Sequence, residues 1–159
     1  MSSGKAIVTK NKRVKTETIE SVESKNIELV KRFYQYIDTG KIDEARAIFD
    51  SKAKIFYESG NTVSFDEMVP LIKMFYSSFP DYKHGIEDIF AAGDKVAVRL
   101  SYTGTFKKSF MGFDPNGMSF KYVGVHIFQF KNGKAFIFWG VEDELGMMSQ
   151  LGLELKPRK

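Results

Sequence analysis

The second half of the chain constrains the fold most, because from Tyr82 onward it has the pattern of β-strands almost throughout. Four segments rich in alternating apolar residues are separated by turn signals, and the last two flank Asn132–Gly133. Asn-Gly between two alternating runs is the strongest short signal for a two-residue hairpin. We therefore predict an antiparallel meander with strands near 83–91, 95–105, 118–130 and 134–143.

The first half of the chain predicts helices. Apolar residues at three- and four-residue spacing form one stripe from Ile27 to Ile37, which is typical of an amphipathic helix. Ser24 or Asn26 can cap its start, and Gly40 is well placed to end it. We also expect a short helix from Asp43, a strand over 53–58 and a turn at Gly60–Asn61.

A third helix is predicted after a capping box. Ser64 and Glu67 have the spacing in which each side chain satisfies a free backbone donor of the other. An apolar stripe continues the helix to about Ser78, but Pro70 removes one backbone hydrogen bond. The helix therefore either starts at Asp66 or Glu67 or bends at Pro70. Helices followed by a meander predict an α+β fold, in which N-terminal helices cover one face of a curved, mixed or antiparallel sheet and enclose a pocket.

The positive charge lies in the tails rather than in the body. The chain has 159 residues and a net charge of +4, of which residues 1–25 and residues 156–159 each carry +3. The body over 26–155 is therefore faintly acidic, at −2. A nucleic-acid interface needs its Lys and Arg on the folded surface. We predict one folded domain over 26–155, a disordered basic tail over 1–25, a basic C-terminal tail over 156–159, and no nucleic-acid partner.

Several classes of site and location are excluded by composition. The chain has no Cys, so it has no disulfide or thiolate ligand, and its two His argue against a His-rich metal site. No apolar run is long enough to span a membrane, and the N-terminus lacks the apolar core of a secretory signal. We expect a cytoplasmic protein without a cofactor. The basic stretch over 1–16 is either a solvated tail or an organelle or nuclear targeting signal.

The hairpin turn predicts which side chains share a face of the last two strands. If Lys131 pairs with Lys134, the pairing continues without interruption to Tyr122 and Asp143. A mostly apolar wall with a few polar groups is typical of a small-molecule pocket. The residues on this predicted face are Tyr122, Gly124, His126, Phe128, Ile137, Trp139, Val141 and Asp143.

Asp143 is the candidate acid/base on this wall. Desolvation disfavours its charged form and raises its pKa toward a range useful for proton transfer; alternatively, Asp143 caps a helix that starts at Glu144. His126 is the second candidate catalytic residue: it either contacts the opposite end of the same ligand or is a core histidine. Arg99 is either solvated or faces the cavity. Expected substrate contacts are Tyr122, Trp139, Phe128, Ile137, Val141, Arg99 and Tyr34.

Several motifs in order resemble the SnoaL-like polyketide cyclases of the NTF2-like superfamily. They are Asn26–Tyr34, Phe79–Asp81, Ile86–Ile89, Gly93–Arg99, Thr103–Thr105, Pro115–Gly117, Asn132–Lys134, and Trp139-x-x-x-Asp143 before Gln150-Leu-Gly152. The resemblance implies a cone-shaped α+β fold. It also implies that Asp143 is the general acid/base of an intramolecular aldol condensation without metal or cofactor. Many relatives have His where this chain has Phe106, and others have His near Tyr57 and Glu58.

Three functions remain open from the sequence. The first is a cofactor-free cyclase or isomerase that acts on an apolar carbonyl compound. The second is a protein that binds an apolar metabolite without changing it, and the third is a dimerising interaction scaffold. We also predict a homodimer, because Phe136 and Phe138 are expected on the outer face of the sheet, where a second copy would cover them.

Overall fold

The computed structural model describes residues 10–56 and 61–153, with side chains from Val22 onward. The helices and strands follow the predicted α+β order, and the tails over 1–9 and 154–159 lie outside the described residues. The elements are α1 Lys10–Asp38, α2 Ile42–Arg46, β1 Phe49–Phe56, β2 Thr62–Val63, α3 Phe65–Ser78, β3 Lys83–Ala92, β4 Lys95–Thr105, β5 Ser119–Lys131, β6 Lys134–Glu142 and α4 Glu144–Gln150.

The strands form one six-stranded sheet in the order β2-β1-β6-β5-β4-β3. β3 to β6 make the predicted antiparallel meander. β1 pairs with β6 in parallel, so the sheet is mixed, and α1, α2 and α3 precede the meander in the chain. The predicted α+β sheet with N-terminal helices is confirmed.

α1 is longer than the sequence predicts. It begins at Lys10, so the expected start near Ser24–Asn26 is wrong, and residues 10–25 are helical rather than disordered. The segment contains no Gly or Pro and is rich in Lys and Glu, which are good helix formers. The backbone N–H of Gly93 donates to Glu23 at 2.6 Å, which ties this part of the helix to the sheet. Gly40 ends the helix region with a φ of 71°.

α3 starts at its predicted capping box. Ser64 is the N-cap, its side chain accepts from the Glu67 N–H, and the Glu67 carboxylate accepts from the Ser64 N–H. The helix begins at Phe65 and contains Pro70. Pro70 lies on the exposed side, where water can satisfy the backbone carbonyl that loses its partner.

The pairing of β5 with β6 changes at a β-bulge. Lys131 pairs with Lys134 and Phe130 with Ala135, as predicted, but Gln129 pairs with Ile137. Phe136 is the extra residue, and each later residue of β6 is shifted by one position. Because side chains alternate across a strand, this shift reverses the faces of β6. The predicted partners of His126 and Tyr122 are therefore wrong: His126 pairs with Gly140.

The bulge places the core on a different set of β6 side chains. Ala135, Phe138 and Gly140 are buried, and Phe138 is only 2% exposed. The prediction that Phe138 lies on the outer face is therefore wrong, while Phe136 is half-buried. The outer face of the sheet instead exposes Val123, Val125, Ile127 and Val141.

Candidate active site

A small cavity lies between the sheet and the helices α1 and α3. Its volume is about 70 Å³, which is room for two or three water molecules. Phe33, Tyr34 and Ile37 of α1 form one wall, and Met68, Leu71, Ile72, Phe75 and Tyr76 of α3 form a second. The sheet contributes two histidines and a carboxylate, His84, His126 and Glu142. An apolar cavity with a few ionisable groups is a good candidate for a site.

A larger groove on the surface lacks comparable chemistry. It has a volume of about 580 Å³ and lies beside α1, where Val22, Leu29 and Phe130 form its apolar part. Its charged side chains are all exposed or half-buried. We place the candidate site in the smaller cavity because burial strengthens the interactions of its ionisable groups.

His126 is held by hydrogen bonds at both ring nitrogens. Its residue is 4% exposed. Nε2 lies 2.9 Å from Oε1 of Glu142, and Nδ1 lies 2.8 Å from the hydroxyl of Tyr34. A carboxylate only accepts, so Nε2 carries the proton, and in the neutral ring Nδ1 accepts from Tyr34. Burial lowers the pKa of His126, although the bond to Glu142 opposes this effect. His126 is therefore a neutral imidazole near pH 7.

Glu142 is a buried carboxylate surrounded by donors. Burial by itself would raise its pKa, but hydrogen bonds from His126 and Tyr102 hold the pKa below its ordinary value. The hydroxyl of Tyr122 also donates to Oε2 at 3.3 Å and lies 2.7 Å from the hydroxyl of Tyr82. Burial raises the pKa of both Tyr82 and Tyr122, which keeps their hydroxyls protonated as donors. Glu142 is therefore an anion in a desolvated network.

Two strand glycines make room for this network. A Cβ at Gly140 would lie 3.0 Å from the His126 ring, and a Cβ at Gly124 would lie 3.0 Å from Cγ of Glu142. Both distances are tighter than ordinary contacts, so a side chain at either position would displace the pair. Glycine in a strand interior often marks such a close approach.

A second carboxylate–imidazole pair lies at the same cavity. Nδ1 of His84 is 2.6 Å from Oδ1 of Asp38, and the hydroxyl of Tyr76 donates to the same oxygen at 2.6 Å. Asp38, His84 and Glu142 are not among the site residues predicted from the sequence. Asp38 and His84 are 46 residues apart, and nothing in a single sequence brings them together. In the sequence, Gly124 and Gly140 were the residues that could have indicated a close approach near Glu142.

Asp143 lies outside the cavity. It is the N-cap of α4, where its carboxylate accepts from the Gly146 N–H at 2.9 Å, and its side chain is exposed. The prediction that Asp143 shares the face of His126 is wrong, because the bulge at Phe136 turns Glu142 inward in its place. The alternative interpretation of Asp143 as a helix cap is the one found in the structure.

The other candidate residues divide between the two faces of the sheet. Tyr122, His126 and Phe128 are buried on the inner face, and Tyr34 is buried in α1 opposite that face; Tyr34 and His126 line the cavity. Trp139 and Ile137 are half-buried, Val141 is 67% exposed, and Arg99 is exposed. Trp139 stacks on Phe56 with ring centroids 5.8 Å apart. The predicted cavity positions of Ile137, Trp139 and Val141 are wrong for the same reason as that of Asp143, and Arg99 is solvated.

A family model for SnoaL-like polyketide cyclases matches residues 28–151. The chain belongs to this family. The match spans α1 from Glu28 through α4 and therefore includes both carboxylate–imidazole pairs. No curated protein matches the chain.

Solved structures of the family are similar in fold. AclR, a proposed hydroxylase from Streptomyces galilaeus, is 25% identical, with a TM-score of 0.74 over 83% of this chain and 87% of its own. IdmH, a proposed polyketide cyclase from Streptomyces antibioticus, is 23% identical, with a TM-score of 0.72 over 79% and 97%. A SnoaL-like protein from Jannaschia sp. CCS1 is 21% identical, with a TM-score of 0.75 over 84% and 96%.

Two further properties of the described residues bear on the sequence predictions. Among the described side chains, over residues 22–56 and 61–153, no three His, Cys, Asp or Glu residues are grouped so that they could hold a metal ion. In the same part of the chain, no helix is long and apolar enough to cross a membrane.

Proposed function

We propose that this protein catalyses proton transfer next to the carbonyl group of an apolar small molecule, as a cyclase or isomerase that needs no cofactor. The observation that carries the proposal is the buried hydrogen bond of 2.9 Å between His126 and Glu142 at the wall of the cavity. Membership of a family of polyketide cyclases supports the reaction class. Fold alone would not, because the same fold can hold many unrelated sites.

In this proposal Glu142 is the general base. It is an anion, since its pKa is lowered, so at neutral pH it is in the form that accepts a proton. His126 holds Oε1 through Nε2 and is itself fixed by Tyr34 through Nδ1. When Glu142 takes a proton from carbon, the electron pair forms an enolate. The enolate then attacks a second carbonyl in a cyclase, or is protonated at another carbon in an isomerase.

The cavity limits the substrate. A volume of about 70 Å³ holds only a few non-hydrogen atoms, so a ring-forming substrate enters only if the wall made by α3 moves outward. Leu71 of this wall is 37% exposed, and the helix contains Pro70, which weakens its backbone hydrogen bonding. We infer that the resting cavity holds the reacting carbonyl group and that α3 moves outward to admit the rest of the substrate.

The test compares two adjacent carboxylates. Glu142→Gln removes the base but keeps the shape, and Asp143→Asn keeps the helix cap. The measurement is the exchange of acetone C–H for deuterium in D₂O, followed by ¹H NMR, because acetone is small enough for the cavity. We expect the protein-dependent rate to fall by about 10²-fold or more in Glu142→Gln and to change less than about two-fold in Asp143→Asn.

Two outcomes would contradict this assignment. Loss of exchange in Asp143→Asn but not in Glu142→Gln would make Asp143 the acid/base, as the family resemblance implies. No acceleration by the wild-type protein, for acetone and for a series of larger aromatic ketones, would remove the catalytic function. Binding of such ketones without conversion would then favour a protein that only binds an apolar metabolite.

A dimerising scaffold is the second candidate, and two observations favour it. The cavity is small, and the outer face of the sheet exposes an apolar strip made by Val123, Val125, Ile127 and Val141. Glu87 lies on this face close to Arg99 and Lys121, so the strip has charges of both signs beside it, which suits a second copy of the same surface. Sedimentation should show a dimer that Val125→Asp dissociates and that Met111→Asp, at an exposed loop residue, does not. A wild-type monomer at micromolar concentration would contradict the dimer.

A further inference from the structure

The cavity has a second ionisable end, formed by Asp38, His84 and Tyr76. Asp38 is the last residue of α1 and accepts three hydrogen bonds: from the His84 ring at 2.6 Å, from the His84 backbone N–H at 3.3 Å, and from the Tyr76 hydroxyl at 2.6 Å. The side chains of His84 and Asp38 are 9% and 14% exposed. Three elements, α1, α3 and β3, thus converge on one carboxylate.

The hydrogen bonds fix how His84 faces the cavity. Burial by itself would raise the pKa of Asp38, but its bonds from His84 and Tyr76 hold that pKa below the ordinary value, so Asp38 is an anion. An anionic carboxylate only accepts, so Nδ1 of His84 carries a proton. A second proton, on Nε2, would make the ring a cation paired with Asp38, and Nε2–H would then be a donor at the cavity that His84 lines.

The two carboxylate–imidazole pairs flank the same aromatic rings. The ring centroid of Tyr34 lies 5.1 Å from that of His84 and 6.1 Å from that of His126. Tyr102 lies 5.1 Å from His84 and 6.2 Å from His126. A single small molecule beside Tyr34 can therefore approach both pairs.

Proton abstraction next to a carbonyl group needs a base at the C–H bond and a hydrogen-bond donor at the carbonyl oxygen. When the C–H bond breaks, its proton goes to Glu142, the electron pair forms a C=C bond, and the carbonyl oxygen acquires negative charge. A donor placed at that oxygen lowers the barrier, and removing such a donor typically costs about 10²–10³-fold in rate. Glu142 is an anion and cannot be this donor.

We propose that His84, held by Asp38 and Tyr76 and carrying a proton on both ring nitrogens, is the oxyanion-binding end of the cavity: its Nε2–H donates to the carbonyl oxygen of the substrate as an enolate forms. This inference rests on the proposed function, and it narrows the ligand to a molecule with a carbonyl oxygen at one end and an acidic C–H at the other. His84 is the residue that contacts the substrate, whereas Asp38 and Tyr76 are positioning residues.

Acetate tests the oxyanion site separately from catalysis. It carries negative charge on oxygen, as an enolate does, and its binding requires no proton transfer to Glu142. The chain has two His, so ¹⁵N NMR of the labelled imidazoles gives two sets of signals, which His84→Gln and His126→Gln assign. We expect saturable shifts of the His84 nitrogens on titration of the wild-type protein with acetate. We expect the acetate Kd to rise at least about ten-fold in His84→Gln.

Acetate binding by two further variants distinguishes this inference from the proposed function. Glu142→Gln should keep acetate binding or tighten it, because it removes a negative charge from the cavity, even though it abolishes deuterium exchange. Asp38→Asn should weaken binding less than His84→Gln, since the ring remains but its orientation is lost. Shifts confined to His126, unchanged affinity in His84→Gln, or no binding by the wild-type protein would each overturn the assignment of His84. Acetate binding with no catalysis in any variant would overturn the proposed function alone.

Discussion

The two faces of the β5–β6 hairpin have opposite chemistry although their residues alternate along the same strands. The inner face collects buried groups that hydrogen-bond one another, Tyr122, His126 and Glu142. On the outer face, Val125 and Val141 are exposed to solvent. A single extra residue, Phe136, decides which β6 side chains belong to which face. Chemistry at the end of a strand therefore depends on a register that is set several residues earlier.

Deletion of Gly140 is the strongest way to break this comparison. If the bulge stays, each later residue moves by one position, so Glu142 turns outward and Asp143 turns inward. If the bulge is lost instead, Phe138 turns outward, and its loss from the core costs about 3–5 kcal/mol. We expect this variant to be unfolded or destabilised by at least about 3 kcal/mol, as measured by circular dichroism and urea titration.

Deletion of Phe136 is the matched control, because it also shortens β6 by one residue but removes only the extra residue and leaves the other pairs of β5 and β6 unchanged. The side chain of Phe136 is half-buried, and we expect a loss of only about 1–2 kcal/mol. A Gly140 deletion as stable as the Phe136 deletion would show that the register of β6 does not determine which side chains face the core.

Most of the fold could be predicted from the sequence, and the reason is local. The capping box at Ser64, the turn at Asn132–Gly133 and Gly40 each act on their immediate neighbours, and all three are found as predicted. The register after the bulge could not be predicted, because residues 135–139 are apolar without alternation. Such a run does not indicate which side chains face the core.

The candidate site was predictable only in part for a related reason. Tyr34 and the β5 residues Tyr122 and His126 were identified because the apolar pattern of α1 and β5 is regular. A regular pattern indicates correctly which side chains face the core. Glu142 was missed because the bulge lies before it. The pair Asp38–His84 was missed because it forms between α1 and β3, whose contact is a property of the tertiary structure.

The buried pairs should make stability depend on pH. Burial lowers the pKa of His126, so the unfolded chain binds a proton at higher pH than the folded protein does. The contribution of His126 to stability is then complete above about pH 6.5 and is lost as pH falls toward the lowered pKa of the folded protein. The loss is about 1.4 kcal/mol for each pH unit that separates the two pKa values. Glu142, whose pKa is also lowered, adds a further loss below about pH 4.3.

Urea titrations between pH 8 and pH 4 measure this dependence. The groups that face His126 are Tyr34, Tyr102 and Glu142, with His84 across the Tyr34 ring. His126→Gln should be less stable at pH 8 but should lose less stability between about pH 6.5 and pH 5. Parallel curves for the two proteins would contradict the neutral, buried state of His126.

The smallest effect is expected on the outer side, at Asp143. Its carboxylate caps α4 by accepting from the Gly146 N–H, and removing an N-cap side chain costs about 1 kcal/mol. Asp143→Ala should therefore lower the free energy of unfolding by about that amount, while Asp143→Asn, which can still accept, should lower it by a few tenths. Because a cap acts on the helix and not on the cavity, neither substitution should alter acetate binding at His84. A change in acetate affinity without a change in stability would instead place Asp143 in electrostatic contact with the cavity, and the separation of the two faces would fail at this residue.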